Sequence, residues 1–283
     1  MRGRVLGSML SDLREIGIRD GNCLIVHSSF KSLGLVDASP TDVIRTLIEA
    51  VGESGTLMMP TFTYCYAGVW NVRPYNPATS PSRLMGILPE TLRSYPGALR
   101  SGSPTYSVAA FGKHAGLLTD GKEDVGGLGA GSSFEDAYRL GAKILLIGVG
   151  NNRNSTIHYA EHVSGLPFGD IPYRAFWGRT AVAERDGKVV EVPISDFPGC
   201  STNFGAVDEF LVEKGLMKHG VVCSAGCLVM NSRQIVDAIA ARLRKTPDWL
   251  FCDAITCEPC TLRRRRLRER GLLQPPRGST ADP

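Results

Sequence analysis

One stretch constrains this chain more than any other: KILLIGVGNNRNSTIHYAEHVSGL, from Lys143 to Leu166. Lys143 to Val149 is a short apolar run delivered to a turn by Gly148 and Gly150, the composition of a strand buried on both faces inside an α/β sheet. Asn151 to Ser155 are small or polar and end in residues suited to capping a helix. Thr156 to Val163 then fits one or two helical turns. Residues three apart on a helix are neighbours, so His158 and Glu161 share a face. The region just past a strand's carboxyl end is a favoured place for chemistry, and a histidine with a carboxylate one turn away is the minimum set for a general base of fixed tautomer. The same spacing is also common on solvated helix faces, so spacing alone leaves both readings open. Gly148-Val149-Gly150 opens like a dinucleotide fingerprint, but Arg153 stands where the third glycine belongs.

The rest of the chain surrounds this stretch with alternating strand and helix patterns. Apolar spacing predicts a helix over residues 1–17. Cys23 to His27 reads as a buried strand running into Ser28, Ser29, Lys31 and Gly34. Ser39-Pro40 marks the start of a helix reaching Val51, and Thr56 to Met59 is a further strand. Residues 64–82 are aromatic and rich in Pro and Asn, which predicts an irregular binding loop. A helix over residues 84–95, a strand at Val108–Gly112 and a helix at Phe134–Leu140 follow. After residue 170 the pattern becomes antiparallel: strands at 173–177 and 180–192 turn around Asp186-Gly187. A helix at 203–214, a strand region at 220–230 and a helix at 232–243 close the pattern. The alternation of strands and helices is that of an α/β fold, with an antiparallel excursion after residue 170.

Charge divides the chain unevenly. The net +4 over 283 residues conceals seven arginines among residues 263–283 against Glu269 and Asp282, so the body is nearly neutral. Such a run suits a solvated helix face or frayed end, and also an RNA or acidic partner. Nucleic acid is not expected for the body. No apolar run approaches a membrane helix and no signal peptide is visible, so a cytoplasmic protein is expected. Cys252-x4-Cys257-x2-Cys260 in the tail, with Cys223 and Cys227 earlier, raises a structural zinc in which Cys257 and Cys260 join two cysteines from elsewhere. The spacing also matches part of a plant-type iron–sulfur pattern, but no fourth cysteine follows; free thiols are the third reading. Cys200 reads as a small buried residue. His27 reads as a hydrogen-bonded core residue.

Taken together, HSSFKSLG at 27–34, GTLMMPTFT at 55–63, RSGSPTYSVAAFG at 100–112, the run at 129–162 and GVVCSAGCLVMNSRQIVDAIAARL at 220–243 resemble the aminoglycoside 3-N-acetyltransferase family. The resemblance covers roughly residues 8–244, which sets a domain at 1–244 apart from an extension at 245–283. It implies an α/β fold with a central mixed β-sheet flanked by helices, and a metal-free transfer of acetyl from acetyl-CoA to an amine. His158 is then the base beside the acceptor and Glu161 its support, with Thr156 fixing the turn before it. The resemblance puts Ser28, Ser29 and Gly34 along the CoA arm, with Arg100, Ser101, Thr105 and Ser107 nearby. Family members often carry His-Pro and Ser-Pro where this chain has Ser103-Pro104 and Ser132-Ser133. Because aminoglycosides are polycations and residues 64–82 carry no acid, the acceptor is an aminoglycoside, an amino sugar or a related biosynthetic intermediate. The alternative is a non-catalytic scaffold that uses the Arg-rich tail.

Overall fold

The computed structural model describes residues 2–165, 167–172, 174 and 177–273. In chain order the elements are α1 (Arg2–Glu15), β1 (Cys23–Ser28), α2 (Pro40–Val51), β2 (Thr56–Pro60), α3 (Ile87–Arg93), β3 (Leu99–Arg100), β4 (Val108–Gly112), α4 (Ala115–Thr119) and α5 (Ser133–Arg139). Then come β5 (Lys143–Ile147), α6 (Thr156–Val163), β6 (Thr180–Arg185), β7 (Lys188–Pro193), α7 (Val207–Glu213), β8 (Met217–Val222), β9 (Ala225–Asn231), α8 (Ser232–Leu243) and α9 (Glu258–Glu269).

Seven strands form one mixed sheet in the order β3-β4-β2-β1-β5-β9-β8. Only the centre is parallel: β1 pairs with β2 on one side and β5 on the other, and the outer strands run antiparallel. Strand alternation sorts the core into two layers. Leu24, Val26, Leu57, Met59, Leu145 and Ile147 face the layer that also holds residues of α1, α2 and α3. Ile25, Met58, Ile144 and Leu146 face the other, with residues of α6, α8 and α9. The mixed sheet with helices on both faces is the architecture that the family resemblance implied, and the α/β alternation is the one the periodicity implied. The excursion after residue 170 is a separate two-stranded hairpin, β6–β7. Asp186 and Gly187 turn it with φ of 50° and 71°, the doubly left-handed pair that matches strand twist.

Several expected boundaries move for local reasons. The helix expected at 84–95 begins only at Ile87, because Leu84 and Gly86 hold positive φ; Pro89 then sits in the first turn, where its missing N–H costs nothing. Residues 220–230 belong to two strands rather than one, since Cys223, at φ 52°, reverses the chain between β8 and β9. The helix at 203–214 is a short 3₁₀ turn followed by α7. Of the strand expected at 173–177, Tyr173, Ala175 and Phe176 lie outside the described residues, and Arg174 and Trp177 are in bends and turns.

The extension differs most from its sequence reading. Leu250, Phe251, Cys252, Cys260 and Leu267 belong to the same buried cluster as α6 and α8. On α9, Cys260, Arg263 and Leu267 are fully buried along one face, while Arg265 on the other face is solvated. The arginine run is thus a solvated helix face on one side only; Arg277 lies outside the described residues.

Candidate active site

A cleft of about 770 Å³ opens at the carboxyl ends of β1, β2 and β5. These are the strands between which the chain reverses direction across the sheet, the place where open α/β sheets bind ligands. The ends of β1 and β5 are locked together there: Ser29 N–H donates to the Ile147 carbonyl at 2.8 Å. Gly148 continues β5 with φ 61°, and a Cβ at that position would meet Ser32 Oγ at 1.8 Å, so only glycine lets the two loops close. His27, Ser28, Ser29, Tyr64, Gly86 and His158 are among the residues that line the cleft. Two of its buried polar atoms, His27 Nε2 and Ser28 Oγ, have no hydrogen-bond partner among the described residues. The orphaned His27 nitrogen departs from the hydrogen-bonded core residue that the sequence suggested.

His158 reaches the cleft from α6, and its Nδ1 lies 2.7 Å from Glu161 Oε2. Glu161 is buried and its second oxygen, Oε1, accepts a hydrogen bond from Arg263 Nη2 on α9. Arg263 is sandwiched between aromatic rings, its guanidinium carbon 4.3 Å from the Phe168 centroid and 4.4 Å from that of Phe251. Burial pushes the Glu161 carboxyl up, but the Arg263 charge and the His158 hydrogen bond outweigh it and hold the group below the usual carboxylate range. An ionised Glu161 can only accept, so the neutral imidazole must carry its proton on Nδ1. The ring is also held sideways, 4.7 Å from the Phe204 centroid and against the backbone of Gly199, where a Cβ would come within 2.9 Å of His158 Cε1.

Comparison with known proteins decides the family. The family described as aminoglycoside 3-N-acetyltransferase matches residues 25–244. The chain belongs to that family. Aminoglycoside N(3)-acetyltransferase IV of Salmonella is 31% identical over 240 residues, 84% of this chain and 87% of the relative. Among solved structures, a histidine-to-alanine variant of aminoglycoside acetyltransferase AAC(3)-IVa in complex with a gentamicin superposes with a TM-score of 0.78 at 30% identity, covering 92% of this chain and 96% of the other. AAC-IIIb, solved as a binary complex with CoASH, shares the fold with a TM-score of 0.76 at 24% identity, covering 85% and 96%. Family membership places the chain among the acyltransferases. No helix among the described residues is long and apolar enough to cross a membrane.

The structure separates the remaining residues that the family resemblance put at the site. Ser28 and Ser29 stand at the cleft wall beside His158. Gly34 does not line the cleft; it ends the turn after β1 with φ 66°, and a Cβ there would press into the Ser224 side chain. Arg100, Ser101, Thr105 and Ser107 are not among the cleft residues, because their hydrogen bonds are spent inside the protein. Arg100 bonds the Thr61 carbonyl at 2.8 Å and the carbonyl of Ser80, and covers the Tyr75 ring, clamping the 64–82 segment to β2. Ser101 Oγ accepts from Val108 N–H, and Ser107 Oγ donates to the Thr61 carbonyl. Thr105 Oγ1 donates to Asp196 at 2.7 Å, beside the Tyr66 hydroxyl at 3.0 Å; burial pushes that carboxyl up to about 6. Thr156 is fully buried at the start of α6. The segment 64–82 is irregular, as expected, and Tyr64 at its start reaches the cleft.

Sequence reasoning missed two groups. Arg263 was hidden in a run of like residues, and its one distinguishing signal is that it falls in line with Cys260 and Leu267 on α9. Cys200, read as a lone buried thiol, lies with Cys252, Cys257 and Cys260, whereas Cys223 and Cys227 are elsewhere, at the β8–β9 hairpin.

Proposed function

We propose that this protein transfers the acetyl group of acetyl-CoA to a primary amine of an aminoglycoside, an amino sugar or a related biosynthetic intermediate. The observation that carries the reading is the His158 Nδ1–Glu161 Oε2 bond of 2.7 Å at the switch-point cleft. With Nδ1 held by Glu161, Nε2 is the free basic nitrogen. It takes a proton from the acceptor ammonium, and the amine lone pair attacks the thioester carbonyl carbon. As the tetrahedral intermediate collapses, the C–S bond breaks: His158 returns the first proton to the leaving CoA sulfur and takes up the second, which the nitrogen sheds in becoming an amide, so that one proton per turnover passes to solvent. The Ser28 hydroxyl, buried at the wall and without a partner among the described residues, is the donor assigned to the carbonyl oxygen. Lys31 and Arg153, both at the cleft, suit the phosphates of CoA. The reaction belongs in the cytoplasm, where acetyl-CoA is made. Residues 1–244 carry this chemistry, and the extension from residue 245 onward braces it through α9.

The acid content of the cleft bears on the acceptor. Among the described residues, its one carboxylate outside the His158 set is Glu258, already 3.6 Å from Arg174. That suits an acceptor presenting few amines to the site. The test is release of CoA thiol from acetyl-CoA with a panel of aminoglycosides and amino sugars, with products read by mass. A product heavier by one acetyl group supports the reading, and the preferred acceptor names the class. Folded protein that acetylates no amine in the panel overturns it.

A further inference from the structure

We propose that Cys200, Cys252, Cys257 and Cys260 bind one structural zinc ion at the edge of the cleft, where Cys200 and Cys257 line the wall with His158, and that the ion fastens the C-terminal extension to the catalytic domain. The four Sγ atoms all lie within 4.8 Å of one another, and three are buried. Cys200 and Cys252 are 3.8 Å apart, Cys252 and Cys260 3.7 Å, and Cys257 and Cys200 3.5 Å. A tetrahedron built on zinc–sulfur bonds of about 2.3 Å has edges of about 3.8 Å. The thiols therefore stand close to the corners of a mononuclear S4 site. They are too far apart to be disulfides, and all four are free. Four sulfurs this close enclose one ion and leave no room for an iron–sulfur cluster. Four thiolates with no open position make a structural rather than a catalytic site.

The sequence delivers the ligands in a form zinc sites use. Cys257 and Cys260 come from a C-x2-C step in which Cys257 caps α9 and Pro259 lies in its first turn. The net charge of a four-thiolate zinc is negative, and the helix N-terminus and the following arginines oppose it. Arg264 also donates to the Cys252 carbonyl at 2.7 Å, tying the two tail cysteines to one helix. The fourth ligand, Cys200, comes from the catalytic domain, 52 residues before Cys252.

What the ion would hold follows from its neighbours. Cys200 follows Gly199, whose backbone abuts the His158 ring. Cys260 lies one helical turn before Arg263, which bonds Glu161. One metal thus fixes both groups that settle the imidazole. The assignment stands independently of the acetyl-transfer reading, because it concerns metal content.

The test begins with intact protein made in zinc-replete medium and purified without chelator. About one zinc per chain is expected by elemental analysis. Exchange of zinc for cobalt should give the strong visible bands of tetrahedral thiolate cobalt. Cys257→Ser, at the most exposed ligand, should lose the bound zinc, whereas Cys223→Ser, outside the cluster, should keep it. Should Cys257→Ser fail to fold, the metal content and cobalt spectrum of the wild-type chain decide alone. Protein with no zinc above background, protein carrying iron instead, or a folded Cys257→Ser that keeps its zinc would each overturn the proposal.

Discussion

His158 is held by two regions that differ in how they reach it. From the front, α6 brings His158 and Glu161 together through a spacing of three residues, at the end of a strand in the middle of the sheet. From behind, α9 brings Arg263 to the same carboxylate across 102 positions of sequence. The front is part of the matched family region, residues 25–244, and the back lies outside it. The contrast shows how a buried acid becomes a usable partner for a base. The local pair sets the geometry, but a carboxylate this buried stays ionised only because a second charge meets its other oxygen. In this chain that charge comes from α9, beyond the residues that the family model matches.

Removing the back support should have the largest effect on stability. Arg263→Met leaves the Glu161 charge buried and unpaired, and should cost about 3–5 kcal/mol in denaturant unfolding. A loss below about 1 kcal/mol would mean that Glu161 has another partner or a wet pocket. Glu161→Gln keeps the ring's neighbour but removes the charge that stabilises the imidazolium, so kcat should fall by up to about 10²-fold, less than for loss of the base itself. An unchanged kcat would separate Glu161 from the chemistry and leave it a structural anchor for α9.

A third prediction concerns the cleft wall and acid stability. Burial pushes the His27 imidazole down to about 3. In the unfolded chain His27 takes up a proton near pH 6.5, whereas in the folded chain it stays neutral until about 3. Between those values the unfolded state binds more protons, so His27 lowers stability as pH falls, by about 1.4 kcal/mol per pH unit. His27→Asn should flatten that part of the stability–pH curve by about one proton. A curve of unchanged slope would show that water reaches the ring. The smallest effect is expected on the outer face of α9. Arg265 is exposed and pairs with Glu269 at 3.0 Å, so Arg265→Ala should change stability by no more than about 0.5 kcal/mol. A large loss there would erase the distinction between the two faces of the helix.

How much could be read from the sequence follows the same division. β5, the turn through Gly148 and the α6 pair were legible because the signals are local: an apolar run, a positive-φ glycine, a spacing of three. The Asp186-Gly187 hairpin was legible for the same reason. Arg100, Ser101, Thr105 and Ser107 were assigned to the cofactor through family resemblance, and the fold uses their hydrogen bonds to pin loops; which side of a loop a hydroxyl faces is decided by partners such as Asp196, 91 residues from Thr105. Arg263 and the pairing of Cys200 with the tail were illegible because each contact closes a loop of 50 residues or more. In the sequence Arg263 is one arginine of four in a row, and nothing but its place on the α9 face marks it as buried.

The central claim is that His158, set by Glu161, is the base of an acetyl transfer. The most direct measurement is turnover of His158→Ala with the preferred acceptor, paired with calorimetric binding of CoA to the same variant. The account predicts CoA binding close to wild type and a kcat lowered by about 10²–10⁴-fold. Turnover near wild type with CoA binding intact would contradict it, and would mean that the amine arrives already deprotonated and that positioning alone carries the reaction.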